Sequence, residues 1–235
     1  MEHLTPKARR SIDSAEVVIG YKTYLGLIEP LLVGKEVISS GMRQERERCG
    51  KAVEVASAGR CVALVSGGDP GIYGMAGLVF EILSLHRVPQ PCFTVEVVPG
   101  IAALNACASR LGAPIMHDFA SISLSDLLTP WEVIEKRLEA ASSADFVIVL
   151  YNPKSRGRTQ QITMARDTVL KYRDGNTPVG IVRHATRDDE TITITTLNKM
   201  LDNHIDMKST VIIGNSKTFV WEDFLVTPRG YDVRS

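Results

Sequence analysis

Four things are missing from this 235-residue chain, and each absence removes a class of function. Net charge is absent: 27 Lys+Arg balance 27 Asp+Glu, so no bulk field draws the chain to nucleic acid or to an anionic membrane surface. A long apolar run is absent, which excludes a membrane-spanning helix, and the opening "MEHLTPKARRSIDSA" lacks the apolar core of a signal peptide. Paired cysteine spacing is absent: Cys49, Cys61, Cys92 and Cys107 are scattered, with Cys61 and Cys92 in or beside apolar runs. That reads as reduced, buried thiols of a cytoplasmic protein, and the isolated histidines give no metal site either. Phosphate-loop signatures are absent too, since neither G-x-x-x-x-G-K-[ST] nor G-x-G-x-x-G occurs.

What is present is an ordinary globular composition, 44% hydrophobic and 23% charged, long enough for two small domains. Strand and helix patterns alternate through the first half. Thr5-Pro6 opens a helix, "EVVIGY" and "KEVISSG" read as strands, and "MRQERERCGKAVEVASAG" as a helix closed by Gly59. Val62–Val65 is a strand, "FTVEVVPG" another, and "IAALNACASRLG" a helix of small residues. Such alternation predicts a largely parallel sheet. Punctuation at Leu111-Gly112-Ala113-Pro114 sets the expected boundary between domains at 1–113 and 114–235. Beyond it, strand runs such as "HDFASISLSD", "DFVIVLYNP", "PVGIVRHATRDDETITIT", "STVIIGN" and "TFVWEDFLV" predict a mixed sheet, with helices over "PWEVIEKRLEAASS" and from about Gln160 to Tyr172.

The densest signal is "VALVSGGDPGIYGMAG" (62–77), a strand that opens onto glycines and then a helical pattern. Gly67-Gly68 lets a ligand approach the main chain without a Cβ in the way. Asp69 would repel phosphate oxygens, so the corner suits a ligand with an amine or hydroxyls, such as S-adenosylmethionine. A tight turn with no ligand uses the same residues.

Five ordered segments, "VSGGDPGIYGMA", "EVVPGIAALNACASRLGAP", "SLSDLLTPW", "LYNPKSRGRTQQ" and "VGIVRHATRDDE", resemble the successive signatures of the tetrapyrrole (corrin and porphyrin) methylases. The resemblance runs from about Leu4 to Tyr231. It implies two α/β domains with an active-site cleft between them and S-adenosylmethionine as cofactor. It also implies a tetrapyrrole substrate and a homodimer, while the balanced charge gives no expectation of a nucleic-acid or membrane partner. "YKTYLGLIEPL", "SISLSDLLTPW" and "LYNPKSRGR" are most similar to the subgroup that methylates C-17 of precorrin-3B or cobalt-factor III and contracts the ring, in corrin synthesis. A sister methylase acting at another ring position, or a non-catalytic metabolite-binding member, are the alternative readings. The family pattern opens with a strand and a Gly-Pro-Gly loop ahead of the "LTPKA" helix; this chain starts at that helix, so both are expected to be missing from it.

Carried onto this sequence, the resemblance assigns Gly67, Gly68, Asp69, Ile72, Ala102, Ala103, Asn152, Ala185 and Ile213 to the cofactor. Lys154, Arg156 and Arg158 follow Asn152 and are expected to grip macrocycle carboxylates, with Arg183 and Arg187 as weaker candidates. Methyl transfer needs mainly positioning and exclusion of water, whereas contraction calls for a group that moves a proton. His117, Ser121 and Ser123 are the candidate catalytic groups, with Asp118 and His184 the other polar groups near expected strand ends.

Overall fold

The structure is a computed structural model that describes residues 2–85 and 93–232. Cys92 lies outside them. The chain forms two compact units, Met1–Ala102 and Ala103–Ser235. This division falls eleven residues before the boundary expected after Ala113, and packing explains it. Helix α5 (Ala103–Leu111) lies on the second unit's sheet, where a Cβ at Gly180 would meet the Leu111 side chain at 2.4 Å.

The first unit begins with helix α1 (Pro6–Ser14), capped as its sequence demands: Thr5 Oγ1 accepts from Ala8 N at 3.1 Å and Pro6 opens the first turn. Strands β1 (Val17–Tyr21), β2 (Glu36–Ser40) and β3 (Val62–Val65) form a parallel sheet in the order β2-β1-β3. Val17, Val18 and Ile19 are wholly buried because both faces are covered. Helices α2 (Lys22–Leu27), α3 (Glu45–Ser57) and α4 (Ala76–Leu85) complete the unit. The strand expected over 93–100 is not formed. Val95 and Val97 stay exposed, and the segment is held by side chains: Thr5 Oγ1 donates to Pro99 O at 3.4 Å, and Lys7 pairs with Glu96. Among the described residues β3 is an edge of its sheet and supplies no ladder to that segment.

In the second unit β4 (Gly112–Ala113), β5 (Phe119–Ser123), β6 (Val147–Tyr151), β7 (Pro178–Arg183), β8 (Thr191–Thr196), β9 (Ser209–Ile213), β10 (Phe219–Trp221) and β11 (Phe224–Val226) make two sheets. The larger has the order β5-β6-β9-β7-β8, and the smaller is β10-β11-β4. Strands β5 and β6 run parallel, β9 is antiparallel to β6 and to β7, and β7 is antiparallel to β8. Consequently β5, β6 and β7 point the same way. Helices α6 (Trp131–Ser143) and α7 (Gln161–Leu170) bury Ile134, Leu138, Ala141 and Ile162, Ala165, Val169, apolar residues at helical spacing, against this sheet.

Candidate functional site

In the first unit the glycine corner is built tightly. Gly68 has φ +76°, which glycine adopts without penalty, and both Gly67 and Gly68 are exposed. Asp69 ties the corner together: Oδ1 accepts from Gly71 N at 2.7 Å and Oδ2 from Gly100 N at 3.0 Å. The two segments approach so closely that a Cβ at Gly100 would stand 2.1 Å from Gly68 O. Tyr24 covers the other flank, 2.7 Å from where a Gly67 Cβ would sit. Ile72 is exposed beside the corner, and Ala102 is buried just past Gly100. The structure thus brings Gly67, Gly68 and Asp69 together with the turn that leads to Ala102.

In the second unit, three same-direction strands end on candidate residues. Strand β5 ends at Ser123, β6 leads into Asn152, and β7 leads into His184 and Ala185. Register places them at one end of the sheet, since Ser123 is opposite Tyr151 and Arg183 opposite Ser209. Carboxyl ends of parallel strands are where α/β folds bind ligands. Three non-glycine residues here hold left-handed backbone: Asn152 (φ 50°), His184 (φ 52°) and Thr186 (φ 65°). Strained conformations of this kind cluster at functional sites.

Asn152 Nδ2 donates to Ser123 Oγ at 2.9 Å, and Ser125 N donates to the same oxygen at 3.2 Å. Ser121 lies two residues back on β5, opposite Val149. Beyond Asn152 the chain turns sharply, with Ser155 and Arg158 exchanging backbone hydrogen bonds, so Arg156 projects at the tip and Lys154 is half-buried. Arg158 departs from expectation. It is buried, its Nη1 donates to Leu124 O at 3.0 Å and to Asn152 O, and its Nη2 meets Met207 Sδ at 3.4 Å. Burial lowers its pKa and Asp126, 3.9 Å away, raises it in part. This guanidinium holds the Asn152 turn in place and is not available to a macrocycle.

On the β7 side His184 pairs with Asp189 and is almost enclosed, with 10% of its side chain exposed. Asp189 is held below the usual carboxylate range, first by that hydrogen bond and then by the neighbouring charges of His184 and Arg183. Arg183 Nε donates to Asp206 at 2.9 Å. Burial alone would raise the Asp206 pKa; hydrogen bonds from Arg183, Lys208 N and Ser209 outweigh it and lower the value to about 2.

Three expected residues stand elsewhere. His117 and Asp118 precede β5, so they occupy the opposite end, where Val147 N donates to Asp118 O. Five residues of strand, about 16 Å, separate that end from Asn152. The His117 imidazole is spent locally, accepting from Asp118 N at 2.8 Å. Ile213, paired with Ile148 and Val179 and wholly buried, also lies towards the far end and packs in the core. Tyr24, Tyr151 and Gln161 were not singled out by the sequence. Tyr151 Oη accepts from Leu104 N at 2.7 Å, and Gln161 Nε2 donates to Asp126 at 2.7 Å. Only the segment carrying Tyr24 has a signal, the spacing of Leu25 in α2 with Ile28 and Leu31 just beyond it, all three buried. No group of three metal-ligating side chains occurs among the described residues, and no helix there is long and apolar enough to cross a membrane.

The family model described as Tetrapyrrole (Corrin/Porphyrin) Methylases matches residues 1–201. A cobalt-factor III methyltransferase of Priestia megaterium is 53% identical over 98% of this chain, although the chain spans only 43% of that protein's length. A probable cobalt-factor III C(17)-methyltransferase of Salmonella typhimurium is 50% identical over 97% of this chain and 93% of its own. Among solved structures, the methyltransferase CobJ superposes with a TM-score of 0.91 at 33% identity, covering 97% of this chain and 94% of that one. With a glycine corner, a left-handed Asn152 turn and a match over most of its length, the chain belongs to the tetrapyrrole methylases.

Proposed function

We propose that this protein methylates cobalt-factor III at C-17, coupled to contraction of the ring, in corrin synthesis. The observation that carries the reading is 50% identity to a C(17)-methyltransferase across nearly the whole of both chains. Any cobalt is part of the substrate.

The exposed Gly67-Gly68 corner, flanked on one side by the Tyr24 ring and carrying no Cβ of its own, fits S-adenosylmethionine. When bound, that cofactor supplies an already activated methyl group, so the protein's task is orientation and exclusion of water. Gly67, Gly68, Asp69, Ile72 and the Ala102–Ala103 turn hold the cofactor, joined by Asn152 and Ala185; Asp69 acts mainly by bracing Gly71 and Gly100. Lys154 and Arg156 grip substrate carboxylates, while Arg158 positions Asn152. Proton handling during contraction falls to His184, oriented by Asp189, with Ser123 beside Asn152. His117 and Ile213 are left to local structure. The active form is a homodimer in the cytoplasm, and sedimentation velocity tests its size.

Incubating the protein with cobalt-factor III and S-adenosylmethionine tests the reading. Mass spectrometry should show a tetrapyrrole one methyl heavier, formed in step with S-adenosylhomocysteine. Cofactor turnover on another corrin intermediate, with none on cobalt-factor III, would move the protein to a different step of the pathway.

A further inference from the structure

A second depression lies at the same rim of the first unit's sheet as the glycine corner, at the carboxyl ends of β1 and β2. Its volume is about 420 Å³, and Lys22, Thr23, Ser39, Ser40 and Gln44 line it. Strand β1 pairs with both β2 and β3, so this depression is one to two strand spacings, each about 4.8 Å, from the Gly67 turn.

Beneath its wall sits Arg48, only 4% exposed. Nε donates to Ser40 Oγ at 2.5 Å, Nη2 to Gly41 O at 2.7 Å, and Nη1 reaches Met75 Sδ at 3.3 Å, with the guanidinium 5.8 Å from the Tyr21 ring centre. No carboxylate lies within ion-pair distance of Arg48 among the described residues; Glu45 and Glu47, on the first turn of its own helix, are exposed. An arginine does not shed its proton, and a buried charge ordinarily has a counter-ion. This one has only neutral acceptors. Because the Ser40 hydroxyl already accepts from the guanidinium, its own hydrogen is left to donate elsewhere, and Lys22 adds an exposed cation at the pocket's edge. The loop forming the wall is braced by Gln44 Oε1, which accepts from Gly41 N at 2.6 Å.

We infer that this pocket binds an anion, and specifically one carboxylate arm of the tetrapyrrole substrate. The class of ligand rests on the proposed function, since a precorrin-like macrocycle is ringed with carboxylates. The pocket supplies what one such arm needs: a polarised hydroxyl donor, a mobile ammonium and an uncompensated guanidinium close behind.

The test titrates the full chain with cobalt-factor III, followed by absorbance, and separately with S-adenosylhomocysteine by calorimetry. Lys22→Met and Thr23→Val leave the Arg48 bonds intact, and their Tm checks folding. Lys22→Met should weaken tetrapyrrole binding about tenfold, Thr23→Val several-fold, with cofactor affinity unchanged. With a fully methyl-esterified tetrapyrrole as probe, wild type and Lys22→Met should bind alike. If wild type binds the acid form but both variants match it, the pocket inference is overturned and the proposed function stands. If wild type does not bind cobalt-factor III at all, the substrate reading fails, and the pocket's ligand with it.

Discussion

The two ends of the second unit's large sheet use the same device for different purposes. At each end a buried arginine fans out onto backbone carbonyls. At the far end Arg173 donates to Ser142 O, Gly214 O and Phe146 O, and pairs with Asp145 at 3.2 Å. Asp145 in turn accepts from Ser216 N and Oγ, which, with Arg173, hold its pKa low against the opposing effect of burial. Every partner there is satisfied. A polar depression of about 540 Å³ opens beside this clip, but its arginine is already committed to those carbonyls. At the near end Arg158 fixes Leu124 and Asn152, yet Gln161 Oε1 is buried without a partner among the described residues, and three residues carry left-handed backbone against one, Asp145, at the far end. One arginine closes a fold. The other holds the Asn152 turn.

The comparison is broken most severely by removing the clip. Arg173→Met leaves three carbonyls without their donor and should cost about 3–5 kcal/mol of stability, read as a lower urea midpoint. The surviving folded fraction should bind S-adenosylhomocysteine normally. Arg158→Met should cost less stability, about 1–3 kcal/mol for the carbonyls it abandons, and should also weaken S-adenosylhomocysteine about tenfold. A variant at either position that reversed this pattern would show the two arginines exchanged in role.

Acid sharpens the contrast further. The folded pKa of Asp206, about 2, lies below its unfolded value, so its contribution is complete above about pH 4 and vanishes as pH falls through 2. Asp206 is partly exposed, so solvent screening limits this to about 1–2 kcal/mol. Asp206→Asn should lower stability at pH 7 and flatten the acid limb of the stability curve; parallel curves for variant and wild type would deny the linkage. The smallest effect belongs to Ser123→Ala. Deleting the acceptor of the Asn152 amide should cost about 1 kcal/mol and shift cofactor affinity only a few-fold.

Much of this organisation was legible in the sequence. The strand-glycine-helix run at 62–77, the capped α1 and the fully apolar β6 each carry local chemistry strong enough to dictate their form. What escaped depended on partners distant in sequence. Residues 93–100 alternate like a strand, but a strand exists only where a neighbour offers a ladder. The Leu111–Pro114 punctuation marks the end of α5, whereas the unit boundary is set by which sheet α5 packs on. Arg158 reads as a free loop cation because the carbonyls it serves, at 124 and 152, belong to two different strand ends. His117 reads as close to Asn152 because it adjoins β5; only the direction of that strand places it at the opposite end.

That last point gives the sharpest test. If the chemistry belongs to the end defined by Ser123, Asn152 and His184, then His184→Gln and His117→Gln must differ. Single-turnover mass spectrometry of the pigment, with S-adenosylhomocysteine release measured alongside, should show contracted product falling by at least tenfold in His184→Gln and staying at the wild-type rate in His117→Gln. Loss of contraction in His117→Gln, with His184→Gln unaffected, would contradict the account and place the working end on the other side of the sheet.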